Sequence, residues 1–453
     1  MLALTVGSPV LPGFVVMPVL LAYLALVLIT IRGVSASTRF LVIAFAVRLV
    51  MSAQPRFSYA SSPAGLSWNA LTSVVLVLVG CMLLQRGRAT VLVLLPVSVL
   101  AATVVASMLL NQAGGGTLES LVKYAYFALI ALVACDAFGR DSPGPVLSRL
   151  LLTFALPLAL QLASLMLGID KATESDGSAS YIGGYNHEAS FSIILLTALL
   201  AAVLHPTLKT LPKLTIAAVC IAGIFAANYR TAIVSAAPLL VGLLLYASVS
   251  AVPQRQRGIA SGLAVLLILA AVPVIPSLVG NRFDTLTTLM SEPQVLTKPP
   301  ADFTEADRDL MSGRLYLWSQ YREAWRQGTQ RQHLLGFGAN AWEGRYRYYA
   351  HNTLVSTLYE LGIVGVAAML LLWLWMLAIA ASATGPLRLI LTSAHLSFFL
   401  LNMATMPFWM IEGLLLYGLL CGFTIYSRLV ASRARPAAAL SLRNEYAVLP
   451  RHG

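Results

Sequence analysis

Asn352 to Ala380 reads NTLVSTLYELGIVGVAAMLLLWLWMLAIA, an apolar run interrupted by a single charged side chain, Glu360. About 20 such residues in a helix cross a hydrocarbon core. An acid within such a helix is costly enough to call for a partner or a function. The pattern recurs along the chain and predicts spans at Val10–Thr30, Arg39–Ala53, Leu66–Leu84, Val91–Leu110, Leu118–Phe138, Leu147–Leu167, Glu188–Leu204, Leu214–Ala227, Thr231–Ser248, Ile259–Val279, Asn352–Ala380, Leu387–Met403 and Phe408–Ser427. The second is short. The expected fold is an all-α polytopic membrane protein of about 12–13 transmembrane helices.

Composition supports this reading. Of 453 residues, 58% are apolar and 11% charged, against about one-quarter charged in an ordinary globular chain. That excludes a water-soluble fold. The net charge of +12 resides largely in short turns, through Arg32, Arg86, Arg88, Arg140, Lys209, Lys213, Arg255, Arg257, Arg388, Arg428, Arg433 and Arg435. Such an excess marks cytoplasmic loops and argues against nucleic acid as a partner. The opposite turns, Asn111–Thr117 and Thr173–Asn186, carry no Lys or Arg. Together these place the N-terminus outside and the tail inside. Cys81, Cys135, Cys220 and Cys421 all lie in apolar blocks, so no disulfide framework or CxxC metal site is expected. Val10–Thr30 lacks a basic region before it and a cleavage site after it, and reads as a retained span.

Four regions follow: N-terminal helices over residues 1–280, a large outward loop over 281–350, C-terminal helices over 351–430 and a cytoplasmic tail over 431–453. The loop's first half, with Pro293, Pro299 and Pro300, reads as extended coil. Its second half carries Tyr316, Trp318, Tyr321, Trp325 and Trp342 in stretches of helical character. The tail is expected to be mobile.

Ionisable residues at membrane depth or at its edge are candidates for chemistry. Arg48, Lys123, Glu188, Arg230, His351, Glu360 and Glu412 qualify, with Arg314 in the loop. Arg230 stands where two spans nearly meet, and its guanidinium suits either a bidentate phosphate clamp or an interfacial anchor. His351 precedes Asn352 and Thr353, two potential helix caps, and is either a neutral general base for a sugar hydroxyl or a structural residue. Arg314 and Trp318 share a helical face. They form either a site for a sugar phosphate or a stabilising cation–ring pair. The acids Asp302, Glu305, Asp307 and Asp309 read as a solvated face, and the first outward loop, Gln54–Gly65, has no carboxylate for a hard cation. No metal and no cofactor are expected.

The order of these residues resembles the O-antigen ligase and polymerase family. The resemblance rests on the Arg314-to-Trp318 segment, Leu335-Gly336-Phe337-Gly338, His351-Asn352 and Glu360-Leu361-Gly362-Ile363-Val364-Gly365. Gly183-Gly184-Tyr185-Asn186-His187-Glu188 and Asn228-Tyr229-Arg230 add to it upstream, whereas the first half of the chain is similar in hydropathy alone. It implies a fold like that of the C-type glycosyltransferases, with one large periplasmic loop, in the bacterial inner membrane. The implied donor is a glycan on undecaprenyl diphosphate, and the acceptor is a second glycan or the lipid A core. By motif, Arg230 and Arg314 would bind the diphosphate and His351 would activate the acceptor. Trp318, Asn352, Arg48 and Lys123 are further candidates for substrate contact, and a chain-length regulator protein is a candidate partner. A polymerase is the leading reading, with a ligase second. A lipid-linked sugar flippase is the alternative of another class. It predicts charges mid-bundle and paired broken helices, whereas the residues singled out gather mainly toward one face.

Overall fold

The computed structural model describes residues 11–63, 65–84, 91–111, 115–172, 179–250, 252–271 and 291–447. Arg86, Arg88 and the large loop up to residue 290 lie outside the described residues, as does part of the Thr173–Asn186 turn. The chain is an all-α polytopic membrane protein, and eight of its described helices are long and apolar enough to cross a bilayer.

The N-terminal helices are α1 (Gly13–Thr30), α2 (Ala36–Ala53), α3 (Trp68–Leu83), α4 (Val91–Asn111), α5 (Gly115–Asp141), α6 (Pro143–Thr153) and α7 (Ala155–Leu167). Next come α8 (Glu188–Leu204), α9 (Thr210–Ala226), α10 (Arg230–Ser250) and α11 (Arg257–Ala271). The loop contributes α12 (Arg314–Arg326) and α13 (Gln330–Leu335), and α14 (Thr353–Ala381), α15 (Pro386–Ala404) and α16 (Ile411–Ala447) complete the bundle.

Each expected span has a helix among the described residues, although residues 272–279 of the Ile259–Val279 span lie outside them, and there are three differences of detail. The short second span is a full helix, started by Ser35, whose side chain accepts the N–H of Thr38. The sixth is broken at Phe154 into α6 and α7, and Gly168 ends α7 in the left-handed conformation. The last begins three residues later than expected, because Pro407–Trp409 forms a 3-10 turn, and it runs helically to Ala447, through the stretch expected to be mobile.

Side-chain chemistry sorts the helices by depth. α1 turns Phe14, Met17, Leu21 and Leu24 outward, as a lipid-facing helix does. α8, apolar on every side, is buried along almost its whole length and forms the centre of the bundle. α16 approaches α5 through Gly418 and Gly422. A Cβ there would meet Ile130 at 2.6 Å and the Ala131 carbonyl at 2.6 Å. Small residues four apart let helix backbones close on each other in lipid, where packing rather than water exclusion holds helices together.

The loop is folded. Its first half is not plain coil: 3-10 turns occupy Pro293–Thr297 and Pro300–Asp302. In the short helix Glu305–Asp309, Thr304 and Asp307 form a capping box, and Asp307 also accepts a 2.6 Å bond from Lys298. The acid run therefore serves partly as a helix cap. Trp342 lies in turns, not in a helix.

The loop is fastened to α14 at a break in that helix. Gly362 has φ 66° and ψ −164° inside α14, and Gly336 adopts nearly the same conformation, φ 67° and ψ −165°. The two backbones cross so closely that a Cβ on Gly336 would stand 2.2 Å from the Glu360 carbonyl carbon, and one on Gly362 2.4 Å from that of Leu334. Phe337 and Gly338 donate N–H bonds to the carbonyls of Tyr359 and Glu360, at 2.9 and 3.0 Å. These bonds satisfy carbonyls freed by the break, which a membrane helix requires. The buried Glu360 carboxylate completes the fastening, accepting from the Asn340 N–H at 2.8 Å and the Ser356 hydroxyl at 2.5 Å. The paired glycine motifs thus have a structural cause.

Candidate active site

α14 brings the loop back to the bundle at its N-terminus. Asn352 caps the helix, its Oδ1 accepting from the N–H groups of Leu354 and Val355 at 2.9 and 3.1 Å. His351, the residue before it, has φ 52°, a left-handed conformation rare for a side-chain-bearing residue. Such strain persists only where the surroundings impose it. Trp318 is one such constraint, because its indole N–H donates at 2.6 Å to the carbonyl of Ala350. The His351 ring lies against Tyr349, with centroids 4.1 Å apart. Neither ring nitrogen has a hydrogen-bond partner among the described residues.

α12 presents Arg314 to this imidazole. The guanidinium is half-buried, and among the described residues it makes no hydrogen bond and no ion pair. Its field nonetheless reaches His351, His187 and Tyr349. Burial first, then Arg314 and His187, hold the His351 imidazole well below its usual range, at about 3. Burial pushes the Tyr349 hydroxyl up. At neutral pH the site thus presents a fixed guanidinium with unfilled donors, a neutral imidazole and a protonated phenol.

The N-terminus of α8 enters the same cluster. His187 caps it, Nδ1 accepting the Ala189 N–H at 3.0 Å, and Glu188 follows, held by the Lys171 ammonium at 3.2 Å. Arg230 opens α10 directly after Asn228 (φ 56°) and Tyr229. The Tyr229 hydroxyl bonds that of Thr405, and Tyr229 lies within electrostatic reach of Tyr349. The N-termini of α8, α10 and α14 therefore converge here, and each directs the positive end of its helix dipole toward the cluster. An anion is the ligand such a site favours.

Not every expected contact residue joins it. Arg48 lies in the bundle interior, 1% exposed. Its guanidinium donates to the Asn69 side chain at 2.8 Å and to the Ser73 hydroxyl at 2.6 Å, and it lies 5.2 Å from the centre of the Tyr126 ring. With these partners it braces α2 against α3 and α5. Lys123 belongs to a second polar group, paired with Glu119 at 2.7 Å and seated 4.4 Å from the centre of the Trp409 ring. It lines a cavity with Glu360, Tyr124 and Thr357. Asn352 uses its carbonyl as the cap, and its amide donates to Met403 at 2.8 Å. Trp318 holds the chain entering His351. Sequence reading singled out Glu188 but left Lys171, His187 and Tyr349 unassigned. His187-Glu188 directly before a long apolar run was the available signal.

Among the described residues, no group of three or more His, Cys, Asp or Glu side chains is arranged to hold a metal ion.

The Arg314 guanidinium and the His351 and His187 imidazoles thus lie together at one place in a multi-pass helical bundle. The stretch of residues 215–370, from α9 through the large loop into α14, matches the family model for O-antigen ligase. Arg230, Arg314 and His351 all fall within it. Family members are enzymes acting on lipid-linked glycans. No curated protein matches the chain.

Proposed function

We propose that the protein is a glycosyltransferase that polymerises oligosaccharide repeat units carried on undecaprenyl diphosphate, working at the periplasmic face of the bacterial inner membrane. Arg314 and Arg230 hold the donor diphosphate, and His351 takes the proton of the acceptor hydroxyl. The hydroxyl oxygen attacks the anomeric carbon as the bond from that carbon to the diphosphate oxygen breaks. The bonding pair leaves with the lipid diphosphate, and the proton goes to the imidazole. Fixed cations that stabilise charge on the departing group supply the main electrostatic assistance.

One observation carries this reading: the Arg314 guanidinium has no intramolecular partner among the described residues, yet it stands beside an equally unbonded His351. A half-buried guanidinium keeps five donors for bidentate recognition, which a phosphate satisfies. The electrostatics also favour an order of events. An imidazole depressed toward 3 is a weak base. The charge of a bound diphosphate offsets Arg314 and raises its basicity, so the base gains strength once the donor is in place.

The donor chemistry is shared with ligases that transfer to the lipid A core. A deletion strain separates the two: a polymerase loss shortens the glycan to single repeats, whereas a ligase loss leaves long glycan unattached to lipid A. Purified His351→Ala protein supplies the direct test. It is expected to insert normally and to lose nearly all glycan transfer, and turnover at the native rate removes His351 from the mechanism.

A further inference from the structure

His187 lies outside the family-matched stretch, yet the structure brings its ring to the donor site. Its Nδ1 accepts the Ala189 N–H at 3.0 Å, so that nitrogen carries no proton and the neutral ring bears its hydrogen on Nε2. The Glu188 carboxylate, 3.4 Å from the same Nδ1, is therefore not its proton partner. That carboxylate belongs to Lys171, whose ammonium also donates to the Asn186 carbonyl at 3.0 Å. Lys171 thereby neutralises the acid nearest the site and fixes the turn that carries His187. The imidazole remains 32% exposed, within electrostatic reach of both Arg314 and His351, and its Nε2 has no partner among the described residues.

We infer that the Nε2–H of His187 donates a hydrogen bond to a non-bridging phosphate oxygen of the diphosphate held by Arg314, making His187 a substrate-contacting residue of the donor site. This rests on the donor reading given above. The ring then has two duties, one at each nitrogen. Nδ1 closes the helix, and Nε2 faces the ligand from the positive end of α8. A neutral imidazole suits this place, because it adds a donor without adding a third charge to repel Arg314 and Lys171.

The two duties separate by substitution. Asn at 187 keeps a cap acceptor and removes the Nε2–H, whereas Gln retains an N–H near the Nε2 position and is a poorer cap. The probe is undecaprenyl diphosphate, titrated into purified protein in detergent, with thermal unfolding measured on the same samples. His187→Asn is expected to melt with the native protein and to bind the probe about tenfold more weakly, the size of one charge-assisted hydrogen bond. His187→Gln is expected to melt lower and to recover most of the affinity. Equal affinity in the native and His187→Asn proteins overturns this inference and leaves the donor reading standing. Failure of the native protein to bind the probe overturns both.

Discussion

Arg48 and Arg314 are the same residue in opposite conditions. Arg48 is enclosed by α2, α3 and α5, with Asn69, Ser73 and the face of Tyr126 around it. Arg314 sits at the bundle mouth with no bonding partner among the described residues. A charge in a low-dielectric interior must be satisfied from within. A charge left unsatisfied at a mouth, beside three helix N-termini, is where the proposed diphosphate would bind. Burial alone therefore does not identify a functional arginine, whereas the state of its donors does.

Substitutions can break or sharpen this contrast. The largest effect falls on His351, the neighbour of the unfilled arginine. Loss of a general base typically costs 10²- to 10⁴-fold, so His351→Ala should lower glycan transfer by about that factor without lowering the melting temperature. Gly336→Val should act on folding instead, because its side chain would collide with the Glu360 backbone. The yield of folded protein in membranes is expected to collapse, and a normal yield would show that the loop does not dock at the helix break. Arg48→Leu should destabilise by about 1–3 kcal/mol, the cost of stranding the Asn69 and Ser73 groups. Turnover per folded molecule should stay near native, and a selective loss of turnover would erase the contrast.

The pH profile gives a smaller and more diagnostic effect. As the proposed base His351 would act when neutral, and its depressed value means that the free protein keeps the neutral form as pH falls well below the usual imidazole value of about 6.5. The acid limb of kcat/KM, which reports the free enzyme, is expected below pH 5. The acid limb of kcat should lie at higher pH, because bound diphosphate raises the imidazole. Coincident limbs near 6.5 would show that Arg314 does not govern this histidine. Chelator treatment is expected to change nothing, and a loss restored by magnesium would count against a metal-free mechanism.

Much of the architecture was legible because lipid enforces simple rules. Long apolar blocks become helices, and each expected span has one among the described residues. Asn352 was readable as a cap because its side chain acts on the N–H groups two and three residues onward. The difference between Arg48 and Arg314 was not readable, because Asn69 and Ser73, which Arg48 bonds, come from another helix. Likewise, Gly336 and Gly362 could be seen as a motif, but not as two backbones crossing, since that contact joins segments far apart in the chain. His187 was seen within a motif but given no role, because its significance depends on which nitrogen the helix occupies, a matter of local geometry that composition does not record.

The most direct test is single-turnover transfer from a purified undecaprenyl-diphosphate-linked oligosaccharide by the Arg314→Lys protein. Lysine keeps the charge and loses the bidentate fork, so the account predicts a fall of about 100-fold with folding intact. Transfer at the native rate would mean that Arg314 does not clamp the diphosphate.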